Sequence, residues 1–233
     1  LPEIVKDLVG RDKGLILITG PTGSGKTTTM TTLVSYINKK YRRHIITIED
    51  PVEFIHQSEK SLINHREVGT NTHSFKKALR SALREDPDII VVGEMRDLET
   101  TALAITAAET GHVVFGTLHT TSATQTIERV IDQYPPDQQS QIRLMISESL
   151  LLVISQVLLK KRDGGRVAAF EIMVGIPAVS NLIREAKTYQ LSSILQTNAN
   201  MGMITMEQSV TNLYNEEVID KLEFDKYISK YNN

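Results

Sequence analysis

The 233-residue chain contains no cysteine. That absence excludes disulfides and thiolate metal sites and fits a reducing compartment. Long apolar runs are missing too. The richest, Leu150-Leu151-Leu152-Val153-Ile154, gives way to polar Ser155 and Gln156, well short of the ~18 residues of a membrane span. No charge of one sign dominates: 26 basic residues against 28 acidic ones leave a net charge of −2. No global basic field therefore recommends nucleic acid or an anionic membrane as a direct partner. There is no internal repeat and no low-complexity tract, and the sequence starts at Leu1-Pro2 with neither an initiator Met nor a signal-peptide pattern. What remains is ordinary globular usage, 40% hydrophobic and 23% charged. The length suits one large α/β domain or one domain with an appendage, burying about 70% of the surface its unfolded chain exposes.

Against that background residues 20–27 stand out. They read G-P-T-G-S-G-K-T, a complete match to the phosphate-loop pattern G-x-x-x-x-G-K-[ST]. An apolar, mostly β-branched run at 15–19 predicts a strand before the loop. Behind it, 28–38 has helical spacing, with Met30, Leu33, Val34 and Ile37 on one face. A triphosphate has to be approached by backbone N–H groups, so Gly20, Gly23 and Gly25 supply positions without an obstructing Cβ. The helix N-terminus favours an anion. Lys26 then sets an ammonium on the β/γ phosphates, and the Thr27 hydroxyl can ligate Mg²⁺. Nucleotide contacts are therefore assigned to Gly20, Pro21, Thr22, Gly23, Ser24, Gly25, Lys26, Thr27 and Thr28. The plain alternative, a Gly-rich turn that carries a lysine, leaves the complete match and its flanks without a reason.

Further along, a strand at 44–48 delivers Glu49, Asp50 and Glu53 in E-D-P-V-E, with Pro51 stopping the strand. An acidic turn is the alternative, but strand ends beside a phosphate loop are where an open α/β sheet puts its site. Residues 54–71 read as irregular, and 75–84 as an amphipathic helix with Thr72 as N-cap. Arg80 and Arg84 share a face of that helix, as solvent-facing charges or phosphate sensors. A third strand at 88–94 is an apolar run ending in Glu94, the form of a Walker B strand whose acid holds Mg²⁺ or polarises the attacking water. Gly93 stands where many such motors carry Asp, so Asp97 could share that load. After an Ala-rich helix at 98–110 closed by Gly111, a strand at 113–118 ends at His119, placed to bond a γ-phosphate. His112, at the opposite end of that strand, is assigned a structural role.

Ser122 and Gln125 predict a capping box. A long helix is expected at 138–155, then a hairpin around Arg162-Asp163-Gly164-Gly165, then short helices at 178–186, 188–196, 205–215 and 223–231. The expected division is 1–12 as a helical linker from a missing N-terminal domain, 13–175 as the ATPase core, and 176–233 as a helical C-terminal portion of the same domain.

The boxes at 20–27, 47–53, 93–97 and 111–120 together resemble the Walker A, Asp-box, Walker B and His-box set of the secretion ATPase superfamily, and more narrowly its type IV pilus retraction motors. The resemblance implies a RecA-like P-loop NTPase domain with a mostly parallel central sheet, a β-hairpin and a helical C-terminal portion. It implies Mg²⁺-dependent ATP hydrolysis by a ring, a homo-hexamer, that powers pilus retraction and twitching motility. Catalytic roles carried over are Glu53 as base or water-positioning residue, Glu94 as the Mg²⁺-associated acid beside Thr27, His119 on the γ-phosphate, and Lys26. Arg80, Arg84 and Arg96 are candidates to act in trans. The implied partner is an inner-membrane pilus platform protein, reached from the cytoplasmic face, with membrane association only through partners and no direct nucleic acid. Residues 178–185 are similar to the retraction motors' A-I-R-N-L-I-R-E motif, with Val179 and Ser180 at its second and third positions. Extension motors typically carry a four-cysteine zinc element that this chain cannot build. The rival readings are a pilus-assembly or type II secretion ATPase, a non-hydrolysing nucleotide-binding subunit, and a conjugation-type DNA motor.

Overall fold

The β-branched runs become the strands of a seven-stranded sheet in the computed structural model, which describes residues 3–231. Leu1 and Pro2 of the expected linker, and the last two residues of the C-terminal portion, lie outside the described residues. The strands are β1 (Gly14–Thr19), β2 (His44–Glu49), β3 (Leu62–Glu67), β4 (Ile89–Val92), β5 (Val113–Leu118), β6 (Leu150–Lys160) and β7 (Arg166–Val174). Their order across the sheet is β3-β2-β4-β5-β1-β6-β7. All neighbours pair in parallel except β6 and β7, which form the antiparallel hairpin.

Every residue of β1, β4 and β5 is buried, as expected for parallel strands covered by helices on both faces. Each fully buried Leu or Ile there contributes about 1.5–3 kcal/mol, which fixes the strand ends to which the functional loops attach. Because β1, β2, β4 and β5 run the same way, the loops that follow them leave from one edge of the sheet. β5 lies between β1 and β4, so its trailing loop emerges between the phosphate loop and Glu94. This is a RecA-like α/β P-loop domain with a mostly parallel sheet, a β-hairpin and a helical C-terminal portion.

The helices are α1 (Glu3–Leu8), α2 (Lys26–Lys40), α3 (Phe75–Ala82), α4 (Leu98–Thr110), α5 (Ala123–Asp132), α6 (Pro136–Ser149), α7 (Pro177–Arg184), α8 (Leu191–Thr197), α9 (Met206–Asn215) and α10 (Lys221–Tyr231). Val5 and Leu8 of α1 join the main core. A smaller cluster, with Val157, Leu159, Ala169, Met206, Val210, Ile219 and Tyr227, joins the hairpin to the last helices. Among the described residues no helix is long and apolar enough to cross a membrane.

Four local expectations are corrected. The segment read as irregular contains β3, an edge strand pairing with β2 from His44↔Leu62 to Glu49↔Glu67. The N-cap of α3 is Ser74, whose hydroxyl accepts from Lys77 N, not Thr72. The long helix at 138–155 stops at Ser149, and its last third is the start of β6, which pairs with β1. Ser122 caps α5 by accepting from Gln125 N, but the Gln125 side chain takes the Thr121 hydroxyl instead of closing a box.

Candidate functional site

At the carboxyl edge of the sheet lies a cavity of ≈ 520 Å³, within the size range of small-molecule sites. Lys26 at the start of α2 and Glu53, Glu94 and His119 from three loops all line it, as do Thr22, Gly23, Gly25, Thr27 and Thr28. Pro21 and Ser24 lie on the other side of the loop, against the hairpin and α10.

The phosphate loop owes its shape to close backbone approaches. A Cβ at Gly20, where φ is +143°, would stand 2.3 Å from Gln156 O and 2.6 Å from Ser24 Oγ. The Gln156 side chain, buried in β6, donates from Nε2 to Ser24 O at 2.7 Å. At the N-terminus of α2 there is no side-chain cap and no acidic residue in the first turn, so its unpaired N–H groups and dipole are left for an anion. Lys26 Nζ donates to Gly20 O at 2.8 Å and to Pro21 O at 3.2 Å. Burial lowers the Lys26 ammonium from its ordinary range, against the raising effect of the Glu94 charge.

On the acidic side, Glu94 is the hub. Its Oε1 lies 2.6 Å from Arg96 Nε and 3.0 Å from His119 Nε2. The Arg96 hydrogen bond, with His119 adding to it, holds the Glu94 carboxyl below the usual carboxylate range. The turn before Glu94 is fastened to its neighbours: Gly93 N donates to Ile48 O, the Thr117 hydroxyl donates to Gly93 O, and Met95 N donates to Thr117 O. A Cβ at Gly93 would lie 3.1 Å from Ile48 O and 3.3 Å from Glu49 Cγ, so the absence of a side chain here is what lets the Glu49 stem pass. Glu49 and Asp50 line the same cavity.

Asp97 does not share the site. It is the N-cap of α4, its carboxylate accepting from Thr100 N at 2.8 Å and from the Thr100 hydroxyl at 2.7 Å. Arg96 is engaged with Glu94 of its own chain, whereas Arg80 and Arg84 are exposed on and beside α3, outside the cavity lining. His112 sits at the amino end of β5, its Nδ1 3.1 Å from Ala107 O. Gln156 went unnoticed in the sequence because its contact with Ser24 spans 132 positions, and no local pattern announces such a pair. In α7, Val179 and Ile183 are buried while Asn181, Arg184 and the C-cap Glu185 just beyond it are exposed, so the Val179 departure preserves an apolar core position.

These residues fit a magnesium nucleotide: unpaired helix N–H groups, an ammonium and a hydroxyl on one wall, carboxylates on the other. Mg²⁺ is typically bound through one or two side chains plus phosphate oxygens and water, and Thr27 and Glu94 line the same cavity.

A family model described as "Type II/IV secretion system protein" matches residues 2–165. The chain is 56% identical over 219 residues to the "Type IV pilus retractation ATPase PilT" of Pseudomonas aeruginosa, covering 94% of this chain and 64% of that protein. It is likewise 56% identical over 219 residues to a "Twitching motility protein" of Neisseria gonorrhoeae, covering 94% and 59%. The chain thus spans about three-fifths of the length of these relatives. Among solved structures, the pilus retraction motor PilT with bound ADP superposes with a TM-score of 0.90 at 51% identity, covering 96% of this chain and 64% of that one. The ATPase DotB of Legionella pneumophila gives 0.90 at 27% identity, covering 99% and 64%.

Proposed function

The chain belongs to the type II/IV secretion system protein family, and from that premise we propose that it is the motor core of a Mg²⁺-dependent ATPase that powers type IV pilus retraction. The observation that carries this reading is the meeting of Lys26, Glu53, Glu94 and His119 in one cavity beside an uncapped helix N-terminus. In this reading Lys26 and the first turn of α2 bind the triphosphate. Thr27 and Glu94 would hold Mg²⁺, which when bound neutralises phosphate charge. Glu53 orients the attacking water and takes its proton. His119, tied to Glu94 at 3.0 Å, contacts the γ-phosphate. Positioning and charge neutralisation supply the rate.

Retraction is favoured by the names of the two relatives above and by the lack of cysteine for a zinc element. The working unit in this proposal is a homo-hexameric ring with nucleotide at subunit interfaces, Arg80 and Arg84 being the remaining candidates to reach a neighbour's site. It would act on an inner-membrane platform protein from the cytoplasmic face, meeting the membrane through partners and without nucleic acid.

The test is Mg²⁺-dependent phosphate release by the full-length protein. Lys26→Ala is expected to weaken nucleotide binding about 10- to 100-fold, the loss of hydrogen bonds to a charged group. Glu94→Gln should keep nucleotide affinity and lose turnover by about 100-fold or more. Hydrolysis at the normal rate by Glu94→Gln would sink the site assignment. No turnover from the assembled protein would make it a nucleotide-binding subunit, and gene loss that strips cells of pili, rather than leaving them piliated and unable to twitch, would make it an assembly motor.

A further inference from the structure

The loop that carries Glu53 has little backbone structure of its own. Among the described residues, 51–57 make no backbone-to-backbone hydrogen bond, so the loop takes its position from side chains. Two of them come from β3. Glu67 Oε2 accepts from Val52 N at 3.0 Å, while its Oε1 accepts from the Thr70 hydroxyl at 2.8 Å. His65 Nε2 accepts from His56 N at 3.0 Å, and its Nδ1 lies 2.8 Å from Thr47 Oγ1. A ring nitrogen that accepts carries no proton, so Nδ1 is the donor to Thr47 and the ring is oriented at both ends.

The strand geometry explains why these two residues act together. His65 and Glu67 are two apart on β3 and so share a face. Arg66 between them pairs instead with Glu85, at 2.5 Å. The β2–β3 register sets Thr47 opposite His65 and Glu49 opposite Glu67, beside the strand end from which the loop leaves. The N–H of Val52, and then the Thr70 hydroxyl, hold the Glu67 carboxyl below its ordinary range, so it is an ionised acceptor. The two anchored N–H groups, Val52 and His56, bracket Glu53 in the chain.

We propose that His65 and Glu67 are positioning residues for hydrolysis, holding the acidic loop on either side of Glu53 and so fixing where its carboxylate meets the attacking water. This rests on Glu53 acting as the water-orienting base. Misplacing such a group by about 1 Å can cost about 100-fold in rate, which gives two hydrogen bonds a leverage out of proportion to their strength.

Steady-state ATP hydrolysis by the full-length protein tests it, with Glu67→Ala, Glu67→Gln, His65→Ala, Glu53→Gln and the Glu53→Gln/Glu67→Ala pair. Glu67→Ala and His65→Ala should each lower kcat about 10-fold with KM for ATP within about twofold. Glu67→Gln, which keeps an oxygen acceptor for Val52, should restore kcat, and the double variant should be no slower than Glu53→Gln alone. Unchanged kcat in both alanine variants beside an inactive Glu53→Gln would overturn the brace and leave the base reading standing. So would a further fall from Glu67→Ala in the Glu53→Gln background, because the effect would not then run through Glu53. Normal turnover by Glu53→Gln would remove the base reading and the brace with it. ADP affinity, measured alongside, checks that the site is folded; if His65→Ala reduces it, the two Glu67 variants decide.

Discussion

The two walls of the cavity are built by different means. The phosphate wall, residues 20–28, is one short stretch of chain, three glycines between a strand end and a helix start, with backbone N–H groups as the working parts and Gln156 of β6 as its distant support. The acidic wall is assembled from a distance. Glu53 stands on a loop held by Glu67 and His65 of β3 and by Asn38 of α2, which donates to Gln57 O and accepts from Glu59 N and Ser61 N. Glu94 is likewise set by Arg96 and by His119, 25 positions away. A wall made of backbone fails when a side chain is added to it, and a wall made of side chains fails when one is taken away.

The largest effect should come from adding a methyl to the first wall. Gly20→Ala forces a Cβ to within 2.3 Å of the Gln156 carbonyl, at a φ of +143°. Backbone cannot yield as a side chain does, so a loss of about 3–5 kcal/mol is expected, strain and overpacking together. Thermal melting should show it as a fall of about 10 °C for a domain of this size, with nucleotide binding gone. A variant that melts and binds normally would break the comparison on its backbone side. Next in size is Asn38→Ala on the second wall. Asn38 is buried, and its removal leaves the Gln57 carbonyl and two N–H groups without partners, at about 2–3 kcal/mol. The walls being separate, turnover should fall while ADP affinity holds. Equal loss of both would show that the two walls are one structure.

The same division decides what could be read in advance. The phosphate loop, the strands at β1, β2, β4 and β5, and the placing of Lys26, Glu53, Glu94 and His119 at one edge of the sheet were legible because each is a short pattern with its own local reason. β3 was not. It is an edge strand in which Leu62 faces out, 57% exposed, and only Ile63 is buried apolar, so the period-two signal is missing. With it went His65 and Glu67, whose partners lie 9 and 15 positions away. The end of α6 was hidden for another reason: Leu150–Ile154 is apolar throughout because β6 is covered on both faces, and such a run continues a helix's pattern without a break. Asp97 looked like a metal ligand and is a helix cap, a distinction that only the Thr100 contacts reveal.

A smaller effect sharpens the backbone side. Gly23 has φ +77°, yet a Cβ there would meet nothing within 4 Å. Gly23→Ala therefore carries conformational strain without a collision, about 1 kcal/mol, and should lower the melting temperature by only about 2–4 °C. If it proved as damaging as Gly20→Ala, positive φ rather than close approach would be the reason for glycine in this wall.

The smallest effect belongs to the acidic wall and depends on pH. The Glu94 carboxyl is depressed by its hydrogen bond from Arg96, with His119 second, below the ordinary value of 4.5. A depressed carboxyl contributes stability that is present above its unfolded value and disappears as pH falls through the folded one. Arg96→Ala removes the larger cause. The variant should therefore melt slightly below the wild type near neutral pH, by a small margin because Arg96 is 71% exposed. The two melting curves should converge as the pH falls from about 4.5 through the lower folded-state value, beneath which the carboxyl is protonated in both. Added salt should shrink the gap at neutral pH. A gap that widened in acid would mean that Arg96 stabilises the wall through packing or through another acceptor, and Glu94 would then be held by His119 alone.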